Sequence, residues 1–265
     1  MSILRGCRLK IKLLRWGVQA SAFVVSDIGF NVALKTGCVY PFLHCYACPF
    51  ATAGCPIGLL QHFVILRALP LYLIGVVAVA GLLLGRAYCG WGCPFGSFHD
   101  LLSKPARTKA RTIPLAKYAM LLLIILLAWI TSDTFFCKFC PSGSLFGAVP
   151  APFFYEGVRL GFFFNVHLVT LALAIVLALV VSRFWCRYLC PFGTIGIFNR
   201  ISIVTISADA SKCTQCKACL TRCPMGIQKV EEIGHSSDCI LCGRCVEACS
   251  TKALKYSFRP SVNDK

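Results

Sequence analysis

Acidic residues are scarce: ten Asp and Glu stand against 27 Lys and Arg, and charged residues of all kinds make up only 14% of the 265. With 57% hydrophobic residues and a mean hydropathy of +0.74, the composition is that of a membrane protein. No glycine-rich run follows a strand-like segment, so phosphate, flavin and dinucleotide sites are not indicated. The apolar run behind the basic N-terminus contains Asp27 and ends at Leu34-Lys35 without a small-residue cleavage pattern, so it reads as a retained anchor and not as a cleaved signal. Most of the +17 net charge flanks apolar stretches, where membrane topology explains it. Nucleic acid is therefore not an expected partner, whereas the anionic head groups of a lipid bilayer are.

Cysteine, by contrast, is abundant, with 19 residues. Eight fall into two C-terminal runs, Cys213-x2-Cys216-x2-Cys219-x3-Cys223-Pro224 and Cys239-x2-Cys242-x2-Cys245-x3-Cys249. This is the bacterial two-cluster ferredoxin rhythm, in which the fourth cysteine of each run ligates the other run's cluster. The expected sets are Cys213, Cys216, Cys219 and Cys249 for one 4Fe-4S cluster, and Cys239, Cys242, Cys245 and Cys223 for the second. Structural zinc uses separated cysteine pairs and fits this rhythm poorly. Disulfides need an oxidising compartment, which the topology below does not give this segment.

Four apolar stretches approach the roughly 20 residues that a membrane span needs. They are residues 18–34, 63–84, 115–131 and 166–181, the first weakened by Ser26, Asp27 and Asn31. Arg5, Arg8, Lys10, Lys12 and Arg15 precede the first span, Arg86, Lys104, Arg107, Lys109, Arg111 and Lys117 lie between the second and third, and Arg183, Arg187 and Arg200 follow the fourth. The other side offers only Lys35, Arg67, Lys138 and Arg159. The positive-inside rule then places both termini and the ferredoxin segment in the cytoplasm of a prokaryotic cell, on a multi-pass inner-membrane protein.

The membrane part is duplicated. Cys45-x2-Cys48-Pro49 followed by Arg86-Ala-Tyr-Cys89-x3-Cys93-Pro94-Phe95-Gly96 returns as Cys137-x2-Cys140-Pro141 followed by Arg183-Phe-Trp-Cys186-x3-Cys190-Pro191-Phe192-Gly193. Each unit holds an even number of spans, so the copies are parallel repeats and like motifs share a face. Cys89, Cys93, Cys186 and Cys190 would converge at the inner face as ligands of a further cluster, as redox-active thiols, or as buried structural cysteines. Cys45, Cys48, Cys137 and Cys140 would converge at the outer face, as a cluster or as disulfides, with Cys38 and Cys55 nearby. One or two iron-sulfur clusters thus join the two of the ferredoxin segment as expected cofactors. Cys7 reads as a bystander.

Asp27 lies inside the first span, where a carboxylate by default suggests function, here as a proton acceptor at a quinone site. His99 and Asp100, just after the first inner motif, form a second proton-accepting pair, against the alternative of a solvated helix start. His44, His62 and His167 read as interfacial hydrogen-bonders and not as haem ligands. Trp16, Tyr88, Trp91, Trp185 and Tyr188 sit at span ends as an interfacial belt. Gly58, Gly96, Gly143, Gly193 and Gly196 follow the Cys-Pro motifs and allow tight turns.

The order Cys-x3-Cys-Pro, span, span, Cys-x3-Cys-Pro, two-cluster ferredoxin module resembles the NapH family of membrane quinol dehydrogenases, with related modules in NosR and CcoG proteins, over about residues 10–258. The resemblance implies four spans, cytoplasmic clusters, and electron flow from quinol to a partner redox protein, an iron-sulfur protein or cytochrome of a larger complex. The outer Cys-x2-Cys-Pro pairs depart from that pattern. The expected architecture is an α-helical membrane domain over 1–205, built as two parallel two-helix repeats, and an α+β two-cluster ferredoxin domain over 206–265. Three functions follow: an electron-transfer subunit of an oxidoreductase, an assembly factor that handles metal or supplies electrons to a metalloenzyme, and an iron-sulfur sensor, the last disfavoured by the lack of an added DNA-binding domain.

Overall fold

The computed structural model describes residues 2–29, 35–103, 113–154 and 161–258, with side chains described from Ile11 onward in the first helix. The expected basic residues Lys104, Arg107, Lys109, Arg111 and Arg159 and also Asn31 lie outside the described residues, and the side chains of Arg5, Arg8, Lys10 and the bystander Cys7 are not described. The membrane part consists of α1 (Ser2–Ser26), α2 (Pro56–Ile65), α3 (Leu71–Leu84), α4 (Ala87–Trp91), α5 (Pro94–Leu102), α6 (Pro114–Thr131), the one-turn helices α7 (Pro141–Gly143) and α8 (Ala151–Phe154), α9 (Phe162–Val180) and α10 (Phe184–Tyr188). The C-terminal part holds α11 (Ala218–Thr221) and α12 (Arg244–Ala248) between two strands. Those strands, β1 (Val204–Ala208) and β2 (Leu254–Phe258), pair antiparallel with Val204 opposite Phe258 and Ala208 opposite Leu254.

Two expected spans match helices closely: 115–131 lies in α6 and 166–181 in α9. The first does not, because α1 ends at Ser26 and the chain turns at Asp27. Gly29 then packs so tightly that a Cβ would stand 2.7 Å from the Phe50 carbonyl oxygen, and its N–H donates to that same oxygen at 2.8 Å. The second span is broken into α2 and α3, since Arg67 adopts φ +52° and Pro70 biases the preceding residue away from helix. Among the described residues, α9 is the helix long and apolar enough to cross a membrane; α2, α3 and residues Leu115–Thr131 are shorter apolar helices.

Two hydrophobic cores divide the molecule. One gathers Phe42, Ile57, Phe95, Phe136, Trp185 and Phe192 around the membrane-domain cysteines, and the other gathers Ile206, Ile227, Leu241 and Leu254 around those of the ferredoxin part. The outward faces of the longer helices stay apolar: Ile74 and Val79 on α3, Leu123 and Ile130 on α6, and Val169 and Val176 on α9 are all exposed.

Candidate iron-sulfur centres

The cysteine runs of the ferredoxin part fold alike. The second and fourth residues after the first cysteine of each run are left-handed, Gln215 and Lys217 (φ 52° and 56°) in one, Leu241 and Gly243 (φ 49° and 75°) in the other. Such residues turn consecutive backbone N–H groups into one concavity, where they face anions. Cys213, Cys216, Cys219 and Cys249 line one small cavity. Cys245 lies within electrostatic reach of Cys242, Cys239 and Cys223, which form the second group. The fourth cysteine of each run thus joins the other run, as the spacing predicts. The N–H groups of Met225, Gly226 and Ile227 face the Cys223 sulfur, and those of Gly234 and Leu241 face Cys239. Two sets of four sulfurs supplied with backbone donors fit two 4Fe-4S clusters.

The cysteines expected at an inner face also meet. Cys89, Cys93, Cys186 and Cys190 are all buried, and Cys190 lies within electrostatic reach of the other three. Local sequence explains the placement. Cys93 is extended (φ −71°, ψ 115°) ahead of Pro94, which opens α5, and the Gly96 N–H donates to its Sγ at 3.3 Å. Cys190 likewise precedes Pro191, which opens a 3-10 segment over Pro191–Arg200. Proline at the first helical position loses no hydrogen bond, and the helix N-terminus favours negative charge on the sulfur.

Fully buried arginines lock the two repeats together. Arg86 Nη2 donates to the Cys186 carbonyl at 2.7 Å, and Arg183 Nη1 donates to the Cys89 carbonyl at 2.8 Å. Each arginine precedes the cysteine of its own repeat by three residues and serves that of the other. A buried guanidinium needs an anion. Asp100 supplies one for Arg183 through bonds of 2.8 and 2.7 Å, and Arg244 approaches the same carboxylate at 3.0 Å. For Arg86 the nearest carboxylate is Asp238 at 3.9 Å, which also forms a buried ion pair with Lys117. The excess positive charge beside four buried sulfurs fits an anionic cluster better than four neutral thiols.

The expected His99–Asp100 pair therefore divides. Burial opposes ionisation of Asp100, yet Arg183 and then Arg244 outweigh it and hold the carboxyl at about 2, so Asp100 is a fixed counter-ion. His99 is fully buried with both ring nitrogens unpartnered and its ring edge-on to Phe95 at 4.7 Å. Burial, seconded by Arg183, pushes it down to about 4.

The ferredoxin part is seated on this centre. A Cβ on Gly90 would stand 2.4 Å from the Ile240 carbonyl oxygen and 3.1 Å from Cys242 Cβ, and one on Gly196 would stand 2.0 Å from the Ser237 carbonyl oxygen. Trp91 Nε1 donates to the Leu241 carbonyl at 2.9 Å, and Asn199 Nδ2 to the Cys239 carbonyl at 2.7 Å. The Cys223/Cys239/Cys242/Cys245 group is thus the proximal one: Cys242, with Cys223 against it, packs in the same core as Cys89, Cys93 and Cys190, while Cys239 and Cys245 belong to the second core.

The outer cysteines are arranged differently from the expected quartet. Cys45, Cys55, Cys137 and Cys140 line one cavity of about 530 Å³, with exposed Cys38 also on its wall. Cys48 is turned away, its Sγ 3.3 Å from Asp27 Oδ1, while His44 Nε2 lies 3.2 Å from the same oxygen. The reason is local: Pro56 and Pro141 open helices behind Cys55 and Cys140, whereas no helix follows Cys48-Pro49. Cys55 could have been found in the sequence, since Cys55-Pro-Ile-Gly58 matches Cys93-Pro-Phe-Gly96, Cys140-Pro-Ser-Gly143, Cys190-Pro-Phe-Gly193 and Cys223-Pro-Met-Gly226, and Cys48-Pro-Phe-Ala51 does not. All the described cysteines are free thiols in this structure. Asp27 also borders an apolar groove of about 810 Å³ lined by Trp16, Phe23, Phe98, Leu101 and Phe146. His62 lies on the wall of the outer cavity, and His167 Nδ1 is 2.9 Å from Ser144 Oγ.

Sequence comparison places the chain among 4Fe-4S proteins. A 4Fe-4S binding domain family matches residues 67–112, 113–150 and 166–198, and a 4Fe-4S dicluster domain family matches residues 205–251. The chain is therefore a protein of 4Fe-4S binding domains. Its homologues are ferredoxin-type proteins of the NapH, YccM, NirI and MauN kind, consistent with a NapH-type 4Fe-4S membrane protein. The ferredoxin-type protein NapH of Escherichia coli is 29% identical over 68% of this chain and 64% of its own length. Uncharacterized protein MJ0749 of Methanocaldococcus jannaschii is 29% identical over 76% of this chain and 77% of its own. The methylamine utilization ferredoxin-type protein MauN of Paracoccus denitrificans is 30% identical over 61% and 56%. No solved structure matches the chain.

Proposed function

We propose that this chain is a membrane-bound electron-transfer subunit that passes electrons between quinone and a partner redox protein through its ferredoxin domain. The observation that carries the reading is the seating of the proximal cysteine group against the inner-face motif through Gly90, with Cys242 in the same core as Cys89, Cys93 and Cys190. Residues 1–205 form the membrane domain and 206–265 the ferredoxin domain. The shorter apolar helices cross the bilayer together with α9 as two parallel repeats, because their exposed faces of Ile, Leu and Val need a medium as apolar as lipid. Both termini face the cytoplasm, on the side of Arg86, Lys117, Arg183 and Arg187.

Cys213, Cys216, Cys219 and Cys249 hold the distal 4Fe-4S cluster; Cys223, Cys239, Cys242 and Cys245 hold the proximal one; and Cys89, Cys93, Cys186 and Cys190 hold a third. When bound, each such cluster supplies a one-electron carrier. Arg86 and Arg183 compensate the charge of the inner-face thiolates and fix the two repeats against each other. The groove beside Asp27 accepts the quinone ring and tail, and Asp27, backed by His44, takes a proton from quinol. Quinol oxidation releases two electrons and two protons, so each turnover delivers two single electrons, which leave on a partner iron-sulfur protein or cytochrome.

The test is quinol-dependent reduction of the bound clusters in anaerobic membranes. A positioned proton acceptor contributes about 10²–10⁴-fold, so Asp27→Asn should slow reduction at least tenfold while dithionite still reduces every cluster. Unchanged quinol rates would remove Asp27 from the site, and no quinol reduction of the parent protein would remove quinone. A maturation role draws on one observation: donor atoms of Asp27, His44 and Cys48 all lie within 4.8 Å of one another, as metal handling requires.

A further inference from the structure

Six cysteines stand at the outer side of the helices, and the structure sorts four from exposed Cys38 and from Cys48, which is turned to Asp27. We propose that Cys45, Cys55, Cys137 and Cys140 bind a further 4Fe-4S cluster at the outer face, with Cys55 and not Cys48 as the fourth ligand. The proposal rests on the electron-transfer reading above and extends it to the opposite face of the membrane domain.

Convergence is the first ground. Cys140 lies within electrostatic reach of Cys55, Cys45 and Cys137; Cys45 lies within reach of Cys55 and Cys137 and, most weakly, of Cys48. All four line the same cavity of about 530 Å³.

The second ground is that glycines clear space for the sulfurs across the repeat. A Cβ on Gly58 would stand 3.7 Å from Cys137 Sγ, and one on Gly143 would stand 3.7 Å from Cys45 Sγ. Gly147 makes a still closer approach, 3.3 Å from Cys45 Sγ. Gly58 and Gly143, which follow the Cys55-Pro and Cys140-Pro pairs, thus each face a cysteine of the other repeat. The arrangement makes Cys45 the counterpart of Cys137, and Cys55 the counterpart of Cys140. The repeat is then Cys45-x9-Cys55-Pro-x-Gly against Cys137-x2-Cys140-Pro-x-Gly, with Cys48 in the longer loop of the first copy.

The third ground is the donors. Backbone N–H groups of His44, Ile57 and Gly58 face the Cys55 sulfur, that of Gly143 faces Cys140, and that of Ala47 faces Cys45. Gln61, buried, donates from Nε2 to Cys137 Sγ at 3.4 Å while its Oε1 accepts from the Phe136 N–H at 3.1 Å. A disulfide is neutral and gains little from such donors, whereas thiolates bound to iron need them. Zinc also takes four thiolates. The Cys-Pro-x-Gly element, however, recurs at Cys93, Cys190 and Cys223, in the segments that match 4Fe-4S families or abut them, which favours iron.

The experiment uses the full chain, purified anaerobically in detergent, as parent protein and as Cys55→Ser, Cys137→Ser, Cys140→Ser and Cys48→Ser. Iron and zinc are counted per chain, cluster signals are followed by EPR, and thiols are counted by alkylation before and after reduction. Cys55→Ser, Cys137→Ser and Cys140→Ser should each lose the same signal and about four iron atoms, one cubane's content, while Cys48→Ser keeps both. Signals of the ferredoxin pair in the same samples report that each variant is folded, and a variant that fails to fold leaves the other two to decide. The assignment is overturned if Cys48→Ser loses the iron and Cys55→Ser keeps it, if the quartet holds zinc, or if it is oxidised to disulfides in the parent. Loss of the ferredoxin signals from the parent protein would instead overturn the electron-transfer reading itself.

Discussion

Arg183→Gln probes the link between the repeats most sharply. The guanidinium and the Asp100 carboxylate are 0% and 1% exposed, joined by two bonds of 2.8 and 2.7 Å. Breaking a buried pair by removing one partner costs about 3–5 kcal/mol. Arg244 stays 3.0 Å from the stranded carboxylate and is 23% exposed, so it recovers roughly 1 kcal/mol of that loss. An independent route gives a similar size: holding Asp100 at about 2 against an ordinary 3.8 corresponds to about 2 kcal/mol. We expect Arg183→Gln to lower stability by about 2–4 kcal/mol, and Arg183→Gln/Asp100→Asn to be less unstable than the sum of its single variants by at least about 1 kcal/mol. Thermal unfolding of the four proteins in detergent, at matched cluster content, measures this cycle. Additive losses, or a loss under about 1 kcal/mol for Arg183→Gln, would refute the reasoning.

Three further outcomes follow from the geometry. His99 is held at about 4 against an ordinary 6.5; its folded value is depressed, so the stability from keeping it neutral is fully present above about 6.5 and is lost as pH falls towards 4. Unfolding between pH 7.5 and 5 should therefore show a downward slope with acidification that His99→Phe flattens, and an unchanged slope would contradict the placement. Gly196→Ala forces its Cβ to within 2.0 Å of the Ser237 carbonyl oxygen and should cost about 1–3 kcal/mol while loosening the ferredoxin domain to protease; Gly17→Ala, which meets nothing within 4 Å, should do neither. Val176→Arg, on the exposed apolar face of α9, should reduce membrane insertion by about 2.5–3.5 kcal/mol, and normal insertion would argue that this face does not meet lipid.

The grouping of the ferredoxin cysteines was legible in the sequence because three of each group stand on one turn and the run itself recurs, so that the fourth cysteine of each run falls to the other group. The inner quartet was legible through the repeat, since Arg-x2-Cys-x3-Cys-Pro occurs twice at matching places. The arginines of that motif were read as topology signals only, because their exchange between repeats is a tertiary fact that no single window contains. The outer quartet was half legible. Nearest spacing pairs Cys45 with Cys48, but helix-opening prolines and their following glycines select Cys55, and that distinction needs Cys-Pro-x-Gly to be compared across the whole chain. The expected spans 18–34 and 63–84 do not coincide with single helices where single residues interrupt an apolar run, at Asp27 with Gly29 and at Arg67 with Pro70. Hydropathy averages over those positions, whereas the backbone does not.

The account's central claim is that the duplicated membrane cysteines carry clusters in line with the ferredoxin pair. Iron counting with redox-potentiometric EPR on anaerobically purified full-length protein tests it most directly. Four cubanes predict about 16 iron atoms per chain and four one-electron transitions. About eight iron atoms, with signals from the ferredoxin pair alone, would contradict it.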